Sequence, residues 1–252
     1  MTSLADLTLA RIRALHDDLV GRATTATDEQ LAATSGASEW PVAQVFSHLG
    51  SQGEIALAGL PSFLDGGDAP GPEFNEAVWA RWNALDDRSK ANGFVEHSSA
   101  IVAALEAVPG RDERTVTLSF LPTPLPFAAA MGMRLNEYAL HHWDVVQGLD
   151  GDARIDEESA ALMAQHLAGG MSFMLGFIGK ADQLAEPVVL KAGDLVLTID
   201  DAVGVTPDAT PTATLDAPLE AGIRLVNGRL REDVAVEGNV TLAELRKVFP
   251  GY

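Results

Sequence analysis

The spacing of apolar residues changes character once along the chain, and that change limits the fold more than any other feature. Over the first two thirds, apolar side chains recur at helical spacing; after Pro187 they alternate, the mark of half-buried strands. Leu4, Leu7, Ile12, Leu15 and Leu19 place a helix over about residues 3–22. A second helix opens in Ser38-Glu-Trp-Pro-Val, with Ser38 as N-cap and Pro41 in the first turn. It runs to about residue 64, with Pro61 a candidate break. A third spans about residues 75–108, interrupted near Asn92-Gly93. Pro122, Pro124 and Pro126 mark an extended approach to a fourth, about residues 127–148, and a fifth covers about residues 156–179.

Beyond Pro187, Leu195, Leu197 and Ile199 alternate with Val196, Thr198 and Asp200 as a strand does. Residues 212–215 and 234–236 are shorter strand candidates. Between them a helix over 217–227 is expected, with Asp216 as N-cap and Pro218 in the first turn. Thr241-Leu-Ala-Glu244 has the pattern of a capping box opening a last helix. The class is therefore α+β: a helical bundle over residues 1–185, then a small α/β domain over residues 186–252.

The formal net charge is −19, which repels nucleic-acid backbones and anionic membrane surfaces alike, so neither is an expected partner. There is no cysteine, which removes disulfides, thiolate zinc ligands and a cysteine nucleophile together. Any thiol chemistry must use a thiol brought by a ligand. The first twenty residues are charged and amphipathic, without an apolar signal core, and the expectation is a cytoplasmic protein. The stretch 159–179 lacks charge, but Gln165, His166 and four glycines make it a weak span. A buried helix is the expectation there.

The chemistry gathers in Arg134-Leu-Asn-Glu137-Tyr-Ala-Leu-His141-His142-Trp143-Asp144. Glu137 and His141 lie four apart, about 40° apart round a helix and one turn along. Asp144 shares that face, while His142 is rotated by about 100°. A carboxylate and an imidazole so placed can bind one divalent metal, or form an ordinary surface pair. A third ligand must come from another helix. His48, in Val45-Phe-Ser-His48-Leu-Gly on the flank of an apolar face, is the best candidate; a satisfied core histidine is the alternative. Two histidines and one glutamate leave an open coordination position, as catalytic zinc sites do. Asp144 reads either as a solvated acid or as the acceptor that orients a ligand imidazole. Arg134 reads as an ion-pair residue unless it faces the site.

The chain resembles the mycothiol-dependent maleylpyruvate isomerase family, within the DinB-like helical-bundle superfamily. The resemblance rests on Trp40-Pro-Val-Ala-Gln-Val-Phe-Ser-His48-Leu and on Arg134-x-x-Glu137-x-x-x-His141-x-Trp143-Asp144. It implies a DinB-like four-helix bundle followed by a small α/β domain, and a divalent metal, usually zinc, held by His48, Glu137 and His141. It implies also that a low-molecular-weight thiol, usually mycothiol, binds as thiolate; Asp144 and Arg134 are the residues read as supporting the site or the substrate. A catalytic arginine of the C-terminal domain is implied as well; Arg229 in Asn227-Gly-Arg229 is the closest match and Arg224 the second. His142 departs from the family pattern, where a small residue is common.

The expected activity is a metal- and mycothiol-dependent enzyme in which a low-molecular-weight thiol attacks a small electrophile, by maleylpyruvate-type isomerisation or by S-transfer, as a monomer or homodimer. The alternative is a non-catalytic metal- or thiol-binding module.

Overall fold

Four long helices build the N-terminal half of the computed structural model, which describes residues 2–37, 39–66, 68–118 and 121–251. They are α1 (Leu4–Thr25), α3 (Val42–Asp65), α5 (Asp87–Glu106) and α6 (Phe127–Leu149). Each packs on two others, in the ring order α1–α5–α3–α6. Ser3 caps α1 by accepting from the Asp6 N–H, and Asp86 caps α5 from the Ser89 N–H. Apolar residues three and four apart then face inward. Ile12 and Leu19 of α1, Phe46 and Leu49 of α3, Phe94 and Ile101 of α5, and Leu135 of α6 are all buried. Each such side chain contributes about 1.5–3 kcal/mol by leaving water. Tyr138 is buried too, and its hydroxyl shares a 2.5 Å hydrogen bond with Ser98.

The short α2 (Asp28–Ala32), opened by a Thr27–Gln30 capping box, has no counterpart in the sequence reading. α3 runs through Pro61 without ending, so the candidate break is absent. The expected N-cap Ser38 lies outside the described residues; the cap position of α3 is Pro41. The third expected helix is two helices, α4 (Pro72–Asn83) and α5, and they part at residues 84–86 rather than at Asn92-Gly93. Gly93 has a different task. The Trp82 indole of α4 wedges between Gly50 of α3 and Gly93 of α5, and a Cβ on either glycine would strike its ring. β1 (Thr115–Val116) pairs antiparallel with β2 (Leu125–Pro126), which fulfils the extended approach to α6.

The chain divides into two compact units after Ala153, earlier than the boundary expected near residue 185. The cause is α7 (Glu157–Ala168). It packs on α9 (Leu219–Val226) of the second unit rather than joining the bundle. The fifth expected helix also stops early. After Gly169 and Gly170 the chain turns into a 3-10 segment, Ser172–Met174, and α8 (Leu175–Ile178), bent 85° from α7. Among the described residues no single helix is long and apolar enough to cross a membrane.

The second unit is built on a five-stranded sheet: β3 (Val188–Ala192), β4 (Leu195–Ile199), β5 (Val203–Val205), β6 (Ala213–Leu215) and β7 (Val236–Gly238), in the order β5–β4–β3–β6–β7. Only the β3–β6 pair is parallel. β4 is the strand expected from alternation, although Val196 is buried beside Leu195 and Leu197. Asp216 is not the cap of α9. Its N–H bonds to Ala235 O and prolongs the sheet, and Pro218 holds the cap position. Thr241 and Glu244 do form the capping box that opens α10 (Leu242–Val248).

A candidate metal centre in the helical bundle

Two helices supply the polar cluster of the bundle. α3 presents His48 and Gln52; α6 presents Arg134, Glu137, His141 and Asp144. Both sets step by three or four residues, so each lies along one helix face. His48 Nε2 is 3.0 Å from Glu137 Oε2, and His141 Nε2 is 3.6 Å from the same oxygen. The two imidazoles meet edge to face with centroids 4.7 Å apart. One ligand atom from each of the three residues lies within 4.8 Å of the others, compact enough to share one ion. His141 is 8% exposed and forms the floor, while His48 and Glu137, at 28% and 25%, open the cluster to one side.

The three ligand atoms crowd one another, and the hydrogen-bond partners around them fix how they are aimed. Arg134 Nη1 can only donate, and it lies 3.1 Å from Gln52 Oε1, so that oxygen is the acceptor. The amide nitrogen of Gln52 therefore faces inward, 2.9 Å from Glu137 Oε2 and 2.9 Å from His48 Nε2. A protonated His48 Nε2 donates to Glu137 but meets the amide N–H. An unprotonated one accepts from Gln52 but lies 3.0 Å from a carboxylate oxygen with no proton between them. His141 Nδ1 lies 2.8 Å from the fully buried Asp144 carboxylate and donates to it; a neutral ring then aims its Nε2 lone pair at the Glu137 side, where a cation can sit, while a charged ring donates to both carboxylates. A cation between the three ligand atoms would separate the imidazole lone pairs from the Glu137 carboxylate, and the donor set of two imidazoles and one carboxylate suits zinc.

Burial raises the Glu137 pKa, but the hydrogen bond from His48, the charges of His141 and His48, and the Gln52 amide outweigh it and bring it to about 2. Glu137 is therefore held as a carboxylate. The loop before α3 closes the cluster from above: the Trp40 ring lies 5.1 Å from that of His48 and stacks at 6.1 Å on that of His141. Gly36 in that loop donates its N–H to Asp144 O at 2.8 Å, an approach that a Cβ would block against Trp143 and the Asp144 backbone.

The structure thus brings His48, Glu137 and His141 together, with Asp144 on His141. Arg134 reaches the cluster only through Gln52, a residue the sequence reading passed over. His142 points away, as its angle requires, and bonds Asp18 at 2.8 Å. Arg224 is committed elsewhere: it is buried between Glu220 and Glu232. Arg229 is buried beyond α9 in the second unit, with Nη1 donating to Asn227 O at 2.9 Å.

The family model of the mycothiol maleylpyruvate isomerase N-terminal domain matches residues 12–146, more than half of the chain. The chain belongs to the mycothiol maleylpyruvate isomerase family. Its fold also resembles that of a crystal structure of the mycothiol-dependent maleylpyruvate isomerase, with a TM-score of 0.66 at 15% identity over 96% of this chain and 98% of that one. A histidine-to-alanine mutant of mycothiol-dependent maleylpyruvate isomerase resembles it similarly, with a TM-score of 0.65 at 16% identity over 96% and 98%. At such identities the likeness is one of fold, and it bears out a helical bundle followed by a smaller sheet-containing region. Among curated proteins none matches the sequence.

Proposed function

We propose that this family member is a cytoplasmic, metal- and mycothiol-dependent isomerase acting on a small electrophile of the maleylpyruvate type. The observation that carries the reading is the three-way convergence of His48, Glu137 and His141, whose ligand atoms lie within 4.8 Å of one another. These residues would hold one divalent metal, zinc by donor type, and leave a position open. Bound there, the metal would lower the pKa of a thiol and supply thiolate near neutral pH. The family model supports mycothiol as that thiol, and the absence of cysteine accords with a nucleophile that arrives as cosubstrate.

The chain's own residues have separable tasks in this reading. Asp144 accepts from His141 Nδ1 and so aims the Nε2 lone pair at the ligand position. Glu137 stays ionised and contributes one negative charge. Trp40 covers the imidazoles and excludes water on that side. Isomerisation then needs addition of thiolate to an activated double bond, rotation about the resulting single bond, and expulsion of the same thiol. No net bond is made. Arg229 is the proposed anchor for a carboxylate of the electrophile, because a guanidinium fork matches that group.

Elemental analysis of the purified protein tests the reading, beside His48→Ala, Glu137→Ala and His141→Ala. About one zinc per chain is expected in the parent and little in the variants, with their helical content unchanged. Turnover assays with mycothiol and a panel of electrophiles then separate isomerisation from S-transfer. Full metal in the variants, or none in the parent after reconstitution, overturns the assignment; metal without turnover would indicate a binding module.

A further inference from the structure

Arg134 is oddly placed for an ion-pair residue. Its Nε and Nη2 are buried with no hydrogen-bond partner, its guanidinium carbon sits 5.3 Å over the Tyr138 ring, and its hydrogen bond goes to Gln52 Oε1. A half-buried guanidinium with two shielded, unpartnered nitrogens is costly, which directs attention to what its bond to Gln52 does. It removes the freedom of the Gln52 amide to flip. A glutamine side chain can present either its oxygen or its nitrogen; with Arg134 on one side, only the nitrogen can face Glu137. The inward N–H then occupies one lone pair of Glu137 Oε2, the oxygen that both histidines approach.

We propose that Gln52, locked by Arg134, is a positioning residue that holds the Glu137 carboxylate in a one-oxygen mode toward the metal position. With one lone pair of Oε2 taken by the amide, the other is left to point between His48 and His141. Without Gln52 the carboxylate can rotate and offer both oxygens, which consumes the position needed by the thiol. The inference rests on the metal reading of the cluster, and it adds two residues that act through Glu137 rather than on substrate.

Zinc affinity, by competition with a chromophoric chelator, and the visible spectrum of the cobalt-substituted protein test it in the full chain. Gln52→Ala should weaken zinc binding by about 10–100-fold, the usual effect of removing a partner of a metal ligand. Its cobalt bands should lose intensity, because a two-oxygen carboxylate raises the coordination number above four. Arg134→Met should act in the same direction, less strongly, and add nothing in the Gln52→Ala background, since Arg134 works through the amide. Should Gln52→Ala fail to fold, Gln52→Met, which keeps the side-chain length, carries the test. Parent-like affinity and cobalt bands in the Gln52 variant overturn the proposal, as does a full additional effect of Arg134→Met. Failure of the parent to bind any metal overturns the metal reading itself, a distinguishable result.

Discussion

Replacing Gly50 by alanine should unfold the bundle at a markedly lower temperature, although alanine is the better helix former. A Cβ built at Gly50 falls 2.3 Å from Cη2 and 2.7 Å from Cζ3 of Trp82, and 3.0 Å from the Phe94 Cα. The first contact is about 1 Å inside ordinary van der Waals separation. The indole has little room to retreat. Gly93 lies close behind it, where a Cβ would stand 2.8 Å from the same Cη2, and its Nε1 is tethered to Glu54 at 2.9 Å. Moving α3 away from α5 instead would open the largest contact between helices in the bundle. Overpacking of this kind costs about 3 kcal/mol, and the gain in helix propensity returns about 1 kcal/mol. The net loss of about 2 kcal/mol lowers Tm by roughly 4–8 °C for a chain of this size. Thermal unfolding followed by far-ultraviolet circular dichroism reads it. Trp82→Phe in the same chain removes the struck ring atoms, so the double variant should lose about 1 kcal/mol less than the two singles together. A Tm equal to or above that of the parent, or strict additivity, would refute the packing argument.

Other outcomes follow from the same geometry. Asp144→Ala deprives the His141 imidazole of the acceptor that fixes its tautomer and should weaken zinc binding about 10–100-fold, while Asp144→Asn, which keeps an oxygen in reach, should lose less; equal binding in both variants would remove the orienting role. The hydrogen bond from Arg224 lowers the Glu232 pKa from 4.5 to about 2. A depressed folded-state pKa contributes stability that is full above the ordinary carboxylate value and is lost as pH falls toward 2. Glu232→Gln should therefore flatten the decline in stability of the second unit over that acid window, and an unchanged acid-unfolding curve would show the pair to be inert. Arg229→Lys keeps the charge but loses the fork, and should raise KM for a carboxylate-bearing electrophile more than it lowers kcat; an equal fall in kcat would place Arg229 outside substrate binding.

The parts of the fold legible in the sequence are those where one physical cause dominates. Leu195, Leu197 and Ile199 alternate because they share the more deeply buried face of β4, and Thr241 with Glu244 writes out a cap that needs no tertiary help. The reading failed where tertiary packing decided. Gly93 resembles a helix break, yet it sits inside α5 because Trp82 needs the space. Asp216 resembles a cap, yet its backbone continues the sheet and the helix opens two residues later, with Pro218 in the cap position. Residues 159–179 carry no charged side chain, but Gly169 and Gly170 let the chain bend after α7, and that helix belongs to the second unit. At the site, the four-residue step from Glu137 to His141 was visible, and Asp144 with it. That His48 meets them rested on resemblance, because nothing in a linear sequence reports which helices are neighbours. Gln52 stands at the same four-residue step from His48, a signal available in principle, but a glutamine on a helix carries no charge to mark it.

Trp40 has a consequence beyond shielding. An indole stacked on one ligand imidazole and tilted against the other is in electronic reach of whatever those imidazoles hold. When a metal occupies the proposed centre, the Trp40 part of the emission is expected to shift with a closed-shell ion such as zinc and to be quenched by an open-shell ion such as cobalt, changes that Trp40→Phe should abolish. A protein without a single cysteine offers no thiol for a fluorescent label. It carries its own optical probe instead, placed within one ring of the chemistry.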